Sequence, residues 1–252
     1  MLIAQISDTH ILAEDSDLPE AQPRAEDLRR CIVDINGLDP LPDVVIHSGD
    51  TVQTGAIADY NHLTALLAPL RPPLYLTPGN RDHHDTFRAM FDNGSGEQPF
   101  LHFVIDDFPV RLIALDSIDP GERKGVFCAE RLAWLDEALS AAPNRPTILF
   151  MHHPPFDVGP RFIDGYRNLA DRDALAALVA RHPQVRRLMC GHCHRSSLRA
   201  WAGTEASTMA SVARDVREGV DVVRFAETPM YQLHAVSEDG AVTTQTRLVS
   251  DS

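Results

Sequence analysis

Residues 2–10 read LIAQISDTH, an apolar run from Leu2 to Ser7 that halts on Asp8-Thr9-His10. The run is short and bounded by polar residues, which suits a buried strand better than a helix. The same arrangement recurs along the chain. DVVIHS at 43–48 runs into Gly49-Asp50, and Leu74 to Thr77 runs into Pro78-Gly79-Asn80. TILFM at 147–151 runs into His152-His153, and the strand 185–190 runs into Gly191-His192-Cys193-His194. Five predicted strands therefore deliver Asp, Asn or His at their carboxyl ends. In open α/β sheets that edge is where ligands bind.

Helical spacing separates these strands. Arg24 to Asn36 carries Leu28, Ile32 and Ile35 on one face, and Ala129 to Ala141 carries Leu132, Leu135 and Leu139. Ala56 to Leu67 and Arg172 to Arg181 also suit helices. Alternation of this kind predicts an α/β fold. Leu101 to Ile105 and Val110 to Leu115 bracket Asp106-Asp107 as a hairpin, and the chain turns strand-rich from Trp201. It ends in Tyr231 to Val236 and Ala241 to Val249 around an Asp239-Gly240 turn. With no repeat or linker in view, one domain over 1–252 is expected. The part from about residue 206 is a candidate cap or oligomerisation element.

Composition narrows the function. The formal net charge of −13 should repel nucleic-acid polymers and anionic membranes, although bound divalent ions could reverse that sign locally. No stretch approaches the roughly 18 apolar residues of a membrane span. Met1 to Asp8 reads as a strand rather than a signal peptide, and the four cysteines are too scattered for a disulfide scaffold. A cytoplasmic location is expected.

Asp8, His10, Asp50, Asn80, His152, His192 and His194 supply seven candidate ligands, too many for one zinc and suited to two metals sharing a carboxylate. In extended chain, side chains at i and i+2 point the same way, so Asp8 would act with His10 and His192 with His194. The histidine content favours Fe, Mn, Zn or Co over Ca²⁺ or Mg²⁺. His47, His62, His102, His182 and His234 lie outside the pattern. Cys190-Gly191-His192-Cys193-His194 also matches C-x-x-C-H, but haem attachment or a redox pair would leave Asp8, His10, Asp50, Asn80 and His152 without a role.

SDTH, GD, GN, MHHPP and GHCH together resemble the metallophosphoesterase (calcineurin-like phosphoesterase) superfamily. Within it they are similar to the group of class III cyclic-nucleotide phosphodiesterases and bacterial glycerophosphodiesterases. The resemblance implies a four-layer α/β/β/α sandwich with a strand-rich C-terminal segment. It implies a first metal at Asp8, His10 and His194, a second at Asn80, His152 and His192, and Asp50 bridging both. A bridging hydroxide would hydrolyse a small phosphodiester substrate, with Asp50, Asn80, Arg81 and His153 as candidate catalytic residues. A phosphomonoesterase or a noncatalytic metal-binding scaffold are the alternatives. Homodimers or larger homo-oligomers are common in the family. The chain departs from the family pattern after Asn80, where Arg81 stands in place of the usual histidine. Arginine stays charged and cannot act as an ordinary general acid, so a charge clamp is its expected role.

Overall fold

The computed structural model of the chain describes residues 1–91, 99–159, 165–219, 221–222 and 226–249. Its elements run β1 (Leu2–Ile6), α1 (Ala21–Asn36), β2 (Val44–His47), α2 (Ile57–Leu67), β3 (Leu74–Leu76) and α3 (His84–Met90). They continue as β4 (Phe103–Ile105), β5 (Arg111–Leu115), α4 (Ala129–Ser140), β6 (Thr147–Met151), α5 (Leu169–Val179) and β7 (Val185–Cys190). The chain closes through β8 (Ser197–Trp201), β9 (Thr204–Thr208), a 3₁₀ turn (Arg214–Val216), β10 (Met230–Val236) and β11 (Val242–Leu248).

The strands form two sheets. One has the order β11-β10-β1-β2-β3 and the other β4-β5-β6-β7-β9-β8. Period-two alternation along the central strands gives each sheet two apolar faces, and three separate clusters result. Ile3, Val44 and Ile46 of the first sheet meet Leu112, Ala114, Ile148, Phe150 and Met189 of the second, forming the layer between them. Ala4, Ile6 and Val45 face the other way, against Leu28, Ile32 and Ile35 of α1 and Tyr60 and Leu63 of α2. Ile113, Leu115, Leu149 and Leu188 likewise cover Leu135 and Leu139 of α4 and Leu175 and Leu178 of α5. The molecule is a four-layer α/β/β/α sandwich. Gln5 crosses its middle layer, donating to Ser48 Oγ at 2.9 Å and to the Cys190 carbonyl at 3.2 Å.

Two helices begin earlier than their apolar spacing suggests, each for a local reason. Pro23 lies in the first turn of α1, where its missing N–H costs nothing, so the helix starts at Ala21. Asn168 caps α5 by accepting from the Ala170 amide at 3.0 Å, which starts that helix at Leu169. In the sequence, His83 to Phe91 and Phe156 to Arg167 read as loops around the metals that would set substrate specificity. The first holds helix α3 instead, since seven residues are too few to show a helical period, and residues 160–164 of the second lie outside the described residues. The C-terminal strands complete both sheets: β9 pairs with β7, and β10 pairs with β1.

This layering predicts unequal costs at two apolar positions. Phe150 is fully buried between the sheets, and Val33 is 66% exposed on α1. Phe150→Ala should lower unfolding free energy by about 3–5 kcal/mol in urea denaturation, while Val33→Ala should change it by no more than about 0.5 kcal/mol. Similar values for the two would contradict a core between the sheets.

Candidate metal centre

β1, β2 and β3 run parallel in one sheet, and β5, β6 and β7 run parallel in the other. The carboxyl ends of β1, β2, β3, β6 and β7 therefore open on one edge of the sandwich, where all seven predicted ligands come together. The turns they occupy are unusual. Asp8, His10, Asp50, His192 and His194 have φ of 53°, 46°, 51°, 69° and 50°. Left-handed backbone costs a residue with a Cβ on the order of 1 kcal/mol or more, and persists where surrounding contacts impose it.

Those contacts run between the turns themselves. The Asp8 amide donates to the Gly49 carbonyl at 3.0 Å, and the His10 amide to the Asp50 carbonyl at 3.1 Å. The His192 amide donates to the Asp8 carboxylate at 3.2 Å, and the Gly191 amide to the His152 carbonyl at 3.1 Å. Gly79 and Gly191 make the approach feasible. A Cβ on Gly79 would collide with the Asp50 backbone, and one on Gly191 with Ser7 and the Asp8 carboxylate.

Two clusters of ligand atoms result. In the first, Asp8, His10, Asp50 and His194 bring one atom each within 4.8 Å of one another. The His10 and His194 Nε2 atoms are 3.1 Å apart, and His194 Nε2 is 3.3 Å from Asp8 Oδ1. In the second, His192 Nδ1 lies 3.2 Å from His152 Nε2, and Asn80 Oδ1 lies 2.9 Å and 3.2 Å from these two atoms. Asp50 stands between the clusters. Its Oδ2 is 3.7 Å from His10 Nε2 and its Oδ1 is 3.5 Å from His152 Nε2. His192 and His194 thus divide between the clusters, contrary to the i, i+2 expectation, because neither has extended backbone. Cys190 and Cys193 turn the other way, into the apolar cluster beside α4 and α5.

The donor set fits metal ions. His152 Nδ1 donates to the Ser48 carbonyl at 2.9 Å, His194 Nδ1 to the Val216 carbonyl at 2.8 Å, and His10 Nδ1 to Gln53 Oε1 at 3.0 Å. Each bond leaves Nε2 of the neutral ring as an electron pair aimed into a cluster. Burial, then His194, holds His10 well below the usual imidazole range. Burial opposes ionisation of Asp8, yet His194, His152 and His10 keep its carboxyl below the usual range. Burial raises Asp50, and Asp8 adds to that rise. Burial would lower His194, but Asp8 and Asp50 raise it, so the first cluster favours a positive charge between these groups. In the second, the Asn80 oxygen and two ring nitrogens face one another as electron pairs that a cation would satisfy.

His153 is brought to the site but is fully engaged. Its Nδ1 is 2.9 Å from Ser117 Oγ, its Nε2 is 3.0 Å from the Arg123 carbonyl, and its ring packs 4.4 Å from that of His192. The Arg81 amide donates to Asp50 Oδ1 at 2.7 Å, and its guanidinium has no hydrogen-bond or ion-pair partner among the described residues. Asp82 does not pair with it. That carboxylate accepts from the Thr51 amide at 3.1 Å, the Gly79 amide at 2.8 Å and the Tyr60 hydroxyl at 3.2 Å, tying the Asp50 and Asn80 turns together. Burial, with Asp50 beside it, pushes Asp82 up to about 6. Asp82, Gln53 and His47 support the site and are not distinguished in the sequence. His47, set aside there, joins the Asp8 and Asp50 turns through Thr9 Oγ1 at 3.0 Å and the Gly49 amide at 3.3 Å.

The clusters floor a cleft of about 550 Å³, whose lining also includes the charged residues Arg81, Arg123, Lys124, Asp215, Arg217 and Glu218. Among the described residues no helix is long and apolar enough to cross a membrane.

Residues 1–196 match the calcineurin-like phosphoesterase family. The chain is 35% identical to a probable glycerophosphodiester phosphodiesterase GpdQ of Arcobacter nitrofigilis, covering 99% of this chain and 93% of that protein. It is 30% identical to the 3',5'-cyclic adenosine monophosphate phosphodiesterase CpdA of Pseudomonas aeruginosa, over 77% of this chain and 70% of the relative. A dimetal phosphatase from Danio rerio superposes with a TM-score of 0.76 over 99% of both chains at 14% identity, a likeness of fold.

The glycine contact generates a test. Gly79→Ala should displace Asp50 and weaken Mn²⁺ binding by about 10–100-fold, the usual effect of disturbing groups behind a metal site. Calorimetric titration of metal-free protein, with circular dichroism confirming the fold, would measure it. Unchanged affinity would show that Asp50 is not held through Gly79.

Proposed function

The chain belongs to the calcineurin-like phosphoesterase family, and from that premise we propose that it hydrolyses small phosphodiesters at a binuclear metal centre, with cyclic nucleotides and glycerophosphodiesters as candidate substrates. One observation carries the reading: Asp50 belongs to the Asp8, His10 and His194 cluster and also lies 3.5 Å from His152 of the Asn80, His152 and His192 group, at the floor of a cleft of small-molecule size. Relatives named as phosphodiesterases support the diester class.

Asp8, His10 and His194 would hold one ion, Asn80, His152 and His192 the other, and Asp50 both. Nitrogen-rich sites of this kind suit Fe, Mn, Zn or Co. When bound, such a pair supplies Lewis acidity and a hydroxide nucleophile at neutral pH. Gln53, Ser48 and Val216 orient the imidazoles through their Nδ1 atoms. Arg81 offers its guanidinium to the phosphoryl oxygens, neutralising charge that grows as phosphorus is attacked. His153, with both nitrogens bonded, positions the Arg123 backbone and the His192 ring rather than transferring a proton. The sequence supports a cytoplasmic location, and the family resemblance supports a homodimer or larger homo-oligomer.

Reconstituted protein should bind two transition-metal ions per chain by elemental analysis. Asp50→Ala should weaken both sites and reduce hydrolysis of bis(4-nitrophenyl) phosphate to background. The wild type should show higher kcat/KM for that diester than for 4-nitrophenyl phosphate. A consistent preference for the monoester across metals and pH would make the protein a phosphomonoesterase, and full activity in Asp50→Ala would sink the metal assignment.

Arg81 makes a separate prediction, since its guanidinium has no hydrogen-bond or ion-pair partner among the described residues. Arg81→Ala should lower kcat/KM for diesters by about a hundredfold, the smaller end of the effect of losing one electrostatic contact to the transition state. Both metals should stay bound. Unaltered kinetics on several diesters would remove Arg81 from the reaction.

A further inference from the structure

Lys124 is the only lysine in the chain, which otherwise draws its basic residues from arginine. With Arg123 it is exposed on the rim of the cleft above the ligand clusters. Two adjacent cations there run against a protein whose formal net charge is −13. The acids of their own segment are already taken. Arg167 pairs with Asp119 at 2.6 Å and lies 4.0 Å from Glu122. Among the described residues neither the Arg123 nor the Lys124 side chain has a hydrogen-bond or ion-pair partner.

The segment that carries them is fixed. The Arg123 carbonyl accepts from His153 Nε2 at 3.0 Å. Gly125 is bridged to Tyr166, and its carbonyl accepts from the Arg167 amide at 2.9 Å. A Cβ on Gly125 would lie 2.8 Å from His153 Cβ, so this backbone rests directly on His153. Since the His153 ring packs against His192, the two cations stand on the side of the Asn80, His152 and His192 cluster. The other side carries mixed charge. Asp215, Arg217 and Glu218 surround Val216 in the chain, and the Val216 carbonyl holds His194 of the first cluster. Asp215 is bound by Arg24 at 2.6 Å.

We propose that Arg123 and Lys124 form a subsite for a second anionic group, so that preferred diesters carry a phosphate-like or carboxylate group on one ester substituent. That substituent lies on the Asn80, His152 and His192 side, away from Glu218. Arginine supplies a planar fork for a bidentate oxyanion and lysine a mobile point charge, a pairing suited to either anion. Diesters with only neutral or cationic substituents rank lower. The chemistry rests on the diesterase reading; the binding preference does not.

Three diesters sharing 4-nitrophenolate as leaving group separate the two. Their second substituent is phenyl, 4-carboxyphenyl or 4-phosphonophenyl. With metal-reconstituted protein at low ionic strength, kcat/KM should be about tenfold higher for the charged esters, mainly through KM, as expected for one or two exposed charge contacts. Salt should shrink the difference. The double variant R123Q/K124Q should bring the ratio close to one, and R123K/K124R should keep most of it. Binding is read independently of turnover, because Lys124 carries the only side-chain amine. Its acetylation by N-hydroxysuccinimidyl acetate, followed by mass spectrometry, should be blocked by (4-carboxybenzyl)phenylphosphinate, whose two P–C bonds cannot be hydrolysed, at about a tenth of the concentration that benzylphenylphosphinate requires. Equal protection by the two phosphinates, or a charge preference that survives in R123Q/K124Q, overturns the subsite. If charge-dependent protection holds while no diester turns over, the subsite stands and the diesterase reading falls. If the phenyl ester turns over with no preference for charge, the reverse is true.

Discussion

Asp8 and Asp50 are buried carboxylates set among imidazole rings at the junction of two sheets, and the surrounding structure depends on keeping them there. Removing a carboxylate from water costs several kcal/mol unless charge and hydrogen bonds compensate. Here partial compensation comes from His10, His152 and His194, and the Asp8 carboxylate also accepts from the His192 amide. The remaining demand is for positive charge between the ligand atoms. Two metal ions would meet that demand with the donors already oriented, so little reorganisation would be left for the moment of binding.

Placing those groups requires backbone that the chain would not adopt alone. Five residues of the site lie in the left-handed region, and the amides of one turn are used to hold the carbonyls or carboxylates of another. Such strain persists only on a rigid support. The support is the three-layered apolar packing, close-packed between the sheets and beneath the helices on both sides. Asp82 and His47 transmit that rigidity, since each joins two ligand-bearing turns from behind. The C-terminal strands contribute as well. β10 covers the outer edge of β1, and Val212 donates its amide to the Ser7 carbonyl at the start of the first ligand turn.

Charge is distributed unevenly around this centre. The surface is acidic on average, whereas one rim of the cleft presents Arg81, Arg123 and Lys124. A cleft with one cationic side concentrates field lines and draws anions toward the metal-binding floor despite the overall repulsion.

The order of elements and the seven ligand candidates were legible in the sequence, because an apolar run ending on Asp, Asn or His is a local pattern. The strand TILFM appears as β6 over the same residues, Thr147–Met151. Local pattern also explains the misses: α3 is too short to show a period, and the starts of α1 and α5 depend on Pro23 and the Asn168 cap. The division of His192 from His194 could not be read from spacing, since it arises from left-handed backbone imposed by contacts with distant turns. His47 reads as an ordinary strand residue until β1 and β2 lie side by side. The cations of residues 123 and 124 look like solvated loop residues until His153 anchors their backbone over the cleft. Residue type and local order thus determined which chemistry the chain can perform. Tertiary packing decided which groups meet and which way they point, because those outcomes come from contacts between segments far apart in the chain.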